Sequence, residues 1–368
     1  MRTRLLIALA ASLVASVVAG GVSAQSSKPA SALKRTADGH PDLQGFYDLA
    51  TLTPVERPNG LASPVYTEAE AKKLEQGVAT RKEYGDRAIK GDRDAPPKGG
   101  DGSAGAAGNV GGYNSFWIDA GSSYTIVDGQ KRTSLVVDPE NGRVPPLTAE
   151  ARQRAMAARN QAATSDTTAA EDDPGFEKAP GAYDDPERRP LGERCLLGFG
   201  STSGPPMLPT YFYNNGHQIV QTRDTVMILS EMVHDARIIR MDQPHLPPTI
   251  RKWNGDSVGH WEGDTLVVDT TNFTDKTRFR GSSSDLHVIE RFSRTGPHSL
   301  LYRFTIEDPK TWTRAWTGEY TWPETEEKIY EYACHEGNYA LGNILRGARL
   351  KESEETKKKS DIKEQREQ

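Results

Sequence analysis

Short segments of β-type sequence follow one another closely through the second half of the chain, and this spacing constrains the fold most strongly. Tight turns such as Glu262-Gly263-Asp264-Thr265 and Thr295-Gly296-Pro297-His298 join several of them, with no helical segment between. The pattern predicts a mainly β fold, in which an antiparallel meander forms a barrel or a strongly curved sheet of lipocalin-like build. The predicted strands are 114–119, 123–127, 133–138, 209–214, 217–222, 225–233, 236–241, 257–262, 265–270, 286–295, 299–307, 315–322 and 328–335.

Outside these strands, composition and local signals indicate the organisation of the chain. A helix is predicted from Thr67 to about Arg81, because Thr67 and Glu70 form a capping box, and a second one from about Thr148 to Gln161. A stretch rich in Gly and Pro at 91–112 is predicted to be a mobile loop. The predicted division is a signal peptide at 1–24, an extended arm at 25–113, a β domain at 114–349 and a disordered charged tail at 350–368.

The N-terminus has the three parts of a secretory signal. Arg2 and Arg4 precede an apolar stretch from Leu5 to Val18, and small residues lead to a cleavage site after Ala24. The alternative is a membrane anchor, but the stretch is short for a bilayer, which takes about 20 apolar residues. We therefore predict a periplasmic or secreted protein with no membrane span after cleavage.

Cys195 and Cys334 are the two cysteines of the chain. In an oxidising compartment such a pair usually forms a disulfide, and we predict that bond here. The alternative is a catalytic thiol at Cys334, next to His335 and Glu336. Neighbours on a strand point to opposite faces, which disfavours that alternative.

The charge pattern narrows the class of partner. The formal net charge is −5, and no basic stripe is interleaved with aromatic residues, so a nucleic acid is not expected. Neither a glycine-rich phosphate loop before a helix nor a nucleophile elbow is present, which disfavours nucleotide chemistry and a serine-hydrolase fold. We predict a small-molecule partner and no cofactor. A metal is also not predicted, because the histidines of the β region lack a short ligand spacing on one face: His234, His260, His287 and His335.

One candidate catalytic pair lies on the hairpin at Gly263-Asp264. A two-residue turn pairs Glu262 with Thr265 and His260 with Val267, which puts His260 and Asp269 diagonally on one face. A carboxylate that orients an imidazole makes a general base, and we assign those roles to Asp269 and His260. The alternative is an ordinary surface histidine.

Further candidates lie at two strand ends. His234 is a candidate catalytic residue and Arg237 a candidate substrate ligand, because both lie at a turn between strands; the alternative is a turn stabilised by Asp235 and Arg237. His335 or Glu336 is the candidate acid, held by the predicted disulfide. Two aromatic residues are candidates for the substrate pocket, although such residues are usually core: Trp316 and Tyr332.

The hairpin around Gly296-Pro297 gives a prediction of register. With a two-residue loop, Glu290 lies opposite Arg303, as a cross-strand ion pair, and Arg291 lies opposite Tyr302. That pair is interpreted as structural.

Four stretches together resemble a family of secreted bacterial proteins of unassigned function. They are Asp38–Gly45, Arg132–Pro139, Gly255–Phe273 (GDSVGHWEGDTLVVDTTNF) and Tyr330–Asn338 (YEYACHEGN). The resemblance implies no activity. Two functions stay open: an exported enzyme with metal-independent acid–base chemistry (isomerase, lyase or hydratase type) on a small aromatic, apolar or sugar-like substrate, or a lipocalin-like periplasmic binding protein for an apolar or aromatic molecule.

Overall fold

Ten strands of the chain form one curled sheet, a half-barrel. The computed structural model describes residues 33–85, 118–164, 186–198, 204–211, 213–277 and 279–367; the predicted signal peptide and the loop at 91–112 lie outside these ranges. The strands are β1 (Gly45–Asp48), β2 (Ile126–Val127), β3 (Gln130–Lys131), β4 (Val136–Asp138), β5 (Gly216–Gln221), β6 (Thr225–Ser230), β7 (Asp235–Met241), β8 (Asp256–Glu262), β9 (Thr265–Thr271), β10 (His287–Gly296), β11 (Ser299–Glu307) and β12 (Trp316–Pro323). The α-helices are α1 (Glu68–Gly85), α2 (Ala149–Thr164) and α3 (Tyr339–Glu367).

The order of the strands confirms the predicted mainly β, strongly curved sheet. They lie in the order β1-β5-β6-β7-β8-β9-β10-β11-β12-β4, while β2 and β3 form a separate two-stranded sheet. The chain just after β12 approaches β1, and the amide of Thr325 donates to the carbonyl of Phe46 at 2.8 Å. The strand β1 comes from the predicted arm, so residues 45–48 belong to the sheet.

One strand pair departs from a plain meander. β7 and β8 are parallel, whereas the other pairs of the large sheet are antiparallel. A parallel pair cannot be joined by a tight turn, so residues 242–255 have to cross over before β8 begins. We call this segment the crossover.

Aromatic side chains fill the inner face of the sheet. Successive residues of a strand point to opposite faces, which gathers the apolar positions of β5–β12 on one side. A methyl group at Gly318 would overlap the ring of Phe304, so glycine lets that ring lie against β12. Burial of each large side chain contributes about 1.5–3 kcal/mol. The largest residues with 0% exposure are Trp316, Trp322, Tyr47, Tyr302, Tyr320, Phe292 and Phe304.

The helix α1 begins as its sequence predicts. The amide of Thr67 donates to Glu70 Oε2 at 2.8 Å, and the amide of Glu70 donates to Thr67 Oγ1 at 3.3 Å, which is the capping box. The Nζ of Lys131 lies 2.9 Å from the carboxylate of Glu75 and ties α1 to β3. Both predicted helices are present: the one predicted from Thr67 is α1, and the one predicted from about Thr148 is α2.

The C-terminal part differs from the sequence-based expectation. The predicted strand 328–335 has irregular structure, and the predicted disordered tail is the end of α3. Residues 351–367 contain no Gly or Pro, and Glu and Lys are good helix formers, which permits a helix with little burial. The predicted disulfide between Cys195 and Cys334 is confirmed, with the two Cα atoms 5.7 Å apart. None of the helices in the described ranges is long and apolar enough to cross a membrane.

Candidate functional site

A cleft of about 150 Å³ opens where β1, the start of β5 and the segment after β12 meet. Its walls contain four carboxylates, one imidazole and two side-chain amides, together with aromatic rings. We call it the acidic cleft. The polar residues that line it are Asp48, Asp119, Asn214, Asn215, His217, Glu231, Thr325, Glu327 and one cation, Lys328.

His217 lies at the wall of this cleft with its ring buried. Its side chain is on the inner face of β5 and is 3% exposed. The ring Nδ1 lies 3.1 Å from the carbonyl oxygen of Asn215, and a carbonyl can only accept, so Nδ1 carries the proton. The buried Nε2 is left with a lone pair and has no partner among the described residues. Burial, opposed by the hydrogen bond to Asn215 and aided by the charge of Arg237, lowers the pKa of His217 to about 4, so the ring is neutral near pH 7.

Asp48 has the opposite perturbation. Burial, together with the charges of Asp119, Glu327 and Glu231, raises the pKa of this carboxyl to about 6. One oxygen accepts a hydrogen bond from the amide of Ala50 at 2.9 Å, which acts in the other direction. Asp48 therefore keeps its proton at a pH where an ordinary aspartate has lost it.

Glu231 is held against the start of β5. Asn214 Nδ2 donates to its Oε1 at 2.6 Å, and a methyl group at Gly216 would overlap its other oxygen, so only glycine permits this close approach. Burial raises the pKa of Glu231 above its usual range. The cleft thus contains two carboxyls whose pKa is raised by burial.

A buried polar network lies behind the cleft. Arg237 Nη2 and Glu290 Oε2 are 2.7 Å apart, with side-chain exposures of 5% and 0%, and Tyr302 donates to the same carboxylate at 2.8 Å. The hydroxyl of Tyr302 in turn accepts from the amide of Met207 at 3.0 Å. Because Arg237 was predicted to contact substrate, its position is informative: it neutralises Glu290 inside the half-barrel and does not line the cleft.

The predicted register of the hairpin around Gly296-Pro297 is wrong, and in the actual register Glu290 faces the interior. The structure pairs Arg291 with Arg303 and Phe292 with Tyr302, one residue away from the expectation, with an irregularity between Arg294 and Gly296. A shift of one residue turns a strand's side chains to the other face. Glu290 thereby meets Arg237 instead of Arg303.

The predicted pair of His260 and Asp269 is not formed. The hairpin register is confirmed, since Glu262 lies opposite Thr265 and His260 opposite Val267. His260 is half exposed on the outer face, and its Nε2 lies 3.3 Å from Glu262 Oε1. Asp269 instead bonds two other imidazoles, those of His245 and His287.

The other predicted site residues lie apart from the cleft. His335 and Glu336 are exposed beyond the disulfide, and Trp316 is part of the core. His234 is exposed, and its Nδ1 lies 3.2 Å from the carbonyl of Tyr332, so the structure brings these two predicted residues together. His260 and His335 therefore gain no support as a base and acid that share one cavity.

Sequence reasoning missed most of the acidic cleft. Asp48 lies in the predicted arm, Asp119 near the predicted mobile loop, and Glu327 after the last strand, so their proximity depends on the closure of the sheet. The pair Asn214-Asn215 before β5 and Glu231 at the end of β6 were visible as polar residues at strand ends, which is the one signal available.

Comparison with known proteins gives no indication of function. No family model, curated protein or solved structure matches the chain. Function is therefore inferred from the chemistry of the acidic cleft.

Proposed function

We propose that the chain is an acid–base enzyme that acts on a small sugar-like molecule in the acidic cleft. The observation that supports this most is a reversed order of pKa values. Asp48, with a pKa of about 6, and His217, with a pKa of about 4, line the same cleft, whereas a free carboxyl titrates below a free imidazole. Environments that push two pKa values apart in this way assign the acid and the base.

The reversed order gives each group one role. Between about pH 4 and 6 Asp48 is a protonated donor, while the Nε2 lone pair of His217 is an acceptor. A proton taken at one position of a substrate and a proton given at another produce an isomerisation, an elimination or a hydration. These reaction types need the two side chains and no further reactive group.

The walls of the cleft favour a polyhydroxylated substrate. The carboxylates can accept from hydroxyl groups, and the amide of Asn214 can also donate to them. Tyr330, which is 68% exposed, offers a ring at the rim, where sugars commonly stack. A cavity of about 150 Å³ holds one ring the size of benzene, so the proposed substrate is a single sugar-like ring or an open chain of similar size.

The lipocalin-like alternative is less well supported. Such a protein keeps its ligand inside the barrel, and that place is filled here by rings with no exposed surface, such as Trp316, Trp322 and Phe292. The acidic lining of the cleft is also unsuited to an apolar ligand.

Solvent-deuterium incorporation tests the proposal without knowledge of the product. The protein is incubated in D₂O with a panel of monosaccharides and sugar acids, and ¹H NMR follows the loss of C–H signals. We expect exchange with at least one member of the panel and a loss of about 10²–10⁴-fold in Asp48→Asn and in His217→Gln.

Asp264→Asn is the matched control, because Asp264 lies on an exposed turn and pairs with Arg35. It should exchange at the wild-type rate. The proposal would be contradicted if folded Asp48→Asn and His217→Gln exchanged at the wild-type rate, or if no member of the panel showed exchange.

A further inference from the structure

Two imidazoles and three carboxylates meet on the outer face of the sheet, on the side away from His217. Asp269 on β9 and His287 on β10 point outward, and Glu307 on β11 lies directly opposite His287. The crossover brings His245 over the same face, beside Asp256 of β8. We call these residues the outer histidine cluster: His245, Asp256, Asp269, His287 and Glu307.

The Nε2 atoms of both imidazoles lie against the carboxylate of Asp269. His245 Nε2 lies 2.9 Å from Asp269 Oδ1, and His287 Nε2 lies 2.8 Å from Asp269 Oδ2. The other nitrogen of each ring is held by a second carboxylate, at 3.2 Å from Asp256 Oδ2 for His245 and at 3.0 Å from Glu307 Oε2 for His287. Each ring thus lies between two carboxylates.

This arrangement calls for a cation. A neutral imidazole has one N–H, so in each ring one nitrogen would face a carboxylate oxygen with its lone pair unless a proton or a metal ion lies between the two atoms. Arg240 and Lys252 compensate Asp256, at 2.9 Å and 3.2 Å, whereas the ion pairs of Asp269 are with the two rings. A cation between the Nε2 atoms and Asp269 would remove the conflict.

The second carboxylates match the surroundings of metal-bound histidines. A ligating histidine usually donates its other N–H to a carboxylate, which fixes the tautomer and turns the free nitrogen to the metal. In the tautomer that metal binding requires, Asp256 and Glu307 accept from Nδ1, and both Nε2 atoms face Asp269 and the ion. Nitrogen and oxygen ligands of this kind suit transition metals rather than Ca²⁺ or Mg²⁺.

We propose that His245, His287 and Asp269 bind one divalent transition-metal ion such as Zn²⁺. As the side chains stand, no three ligands of the described ranges are arranged to hold an ion, and Asp269 bonds both rings. The proposed site therefore requires Asp269 to rotate on binding, with metal–nitrogen distances of about 2.0–2.1 Å in the bound state. The side chains of His245 and Asp269 are 30% and 35% exposed, so the ion is reached from solvent and further positions remain for water.

Titration of the metal-free protein tests this site directly. The full chain is treated with a chelator, exchanged into buffer, and titrated with Zn²⁺ by calorimetry. We expect one ion per chain, and a Kd at least 10–100-fold weaker in His245→Ala, in His287→Ala and in the second-carboxylate variant Glu307→Gln. Substitution with Co²⁺ should give a visible absorption band that His287→Ala loses, and Ca²⁺ should not compete.

His260→Ala is the matched control, because His260 is another outer-face histidine bonded to a carboxylate. Its Zn²⁺ affinity should equal that of the wild type. The site would be refuted if Zn²⁺ did not bind stoichiometrically, or if His245→Ala and His287→Ala bound it as tightly as the wild type. Protons would then be the cations that bridge the cluster. Glu307 is 46% exposed, so its variant retains the test if a histidine variant does not fold. Deuterium exchange in the acidic cleft is a separate measurement, so each proposal can fail alone.

Discussion

Replacement of Asp48 by asparagine should stabilise the fold at neutral pH while it removes the proposed proton donor. Burial raises the pKa of Asp48 from 3.8 to about 6, which is roughly two pKa units, and each unit corresponds to about 1.4 kcal/mol. The charged form therefore costs the folded state up to about 3 kcal/mol. The asparagine side chain keeps an oxygen for the amide of Ala50, which donates to Asp48 at 2.9 Å, so that hydrogen bond is retained.

The sign of the effect depends on pH. Below pH 3.8 the carboxyl is protonated in the folded and unfolded states, and its ionisation costs nothing. As the pH rises from 3.8 to about 6 the unfolded state loses the proton first, so the wild type loses stability over this range. The stability gained in Asp48→Asn should therefore grow between these values and stay constant above them.

Urea unfolding at pH 3.5 and pH 7.5 measures this difference. We expect the stability gained in Asp48→Asn, measured as its free energy of unfolding minus that of the wild type, to be about 1–3 kcal/mol larger at pH 7.5 than at pH 3.5. Asp264→Asn is the control, since its partner Arg35 lowers the pKa of that carboxyl and no such gain should occur. An equal difference at both pH values for Asp48→Asn would refute the argument that burial perturbs this group.

Three further outcomes are expected. The rate of exchange of the substrate should be highest between about pH 4 and 6, and a pH–rate profile that rises steadily above pH 7 would contradict the assigned roles. The double variant Cys195→Ala/Cys334→Ala, which opens a loop with a sequence separation of 139, should lose at most about 5 kcal/mol in urea unfolding, and no loss would show that the bond does not stabilise the fold. Arg237→Met should lose about 3–5 kcal/mol, because Glu290 is left charged and buried, and addition of Glu290→Gln should restore much of it; additive losses would contradict the ion-pair argument.

The turn residues explain how far the sheet was predictable. Gly263, with a φ of +59°, permits the two-residue turn, so the pairing of His260 with Val267 follows from the sequence. At Gly296-Pro297 the same reasoning gives the wrong partners, because the register shifts between Arg294 and Gly296 and this irregularity has no sequence signal. One residue of error hid the inward position of Glu290.

The candidate sites depended on contacts that a local pattern does not contain. Asp48 and His217 are far apart in sequence and reach the same part of the sheet because β1 pairs with β5, where Asp48 lies opposite Gly216 and Tyr47 opposite His217. His245 was not among the histidines weighed from the sequence because it lies in the crossover, outside the predicted strands, and its approach to Asp269 follows from the parallel pairing of β7 and β8. The periodicity of a single strand indicates its faces but not which distant segment covers them.

The two pKa values of the acidic cleft test the central claim most directly. NMR titration of the full chain, with the Asp48 carboxyl followed by ¹³C and the His217 ring by ¹⁵N, gives both values and the tautomer. The account predicts a pKa of about 6 for Asp48, a pKa of about 4 for His217, and a proton on Nδ1 of the neutral ring. Values near 3.8 for the carboxyl and 6.5 for the imidazole would contradict it, because the two groups could not then act as acid and base in the proposed order.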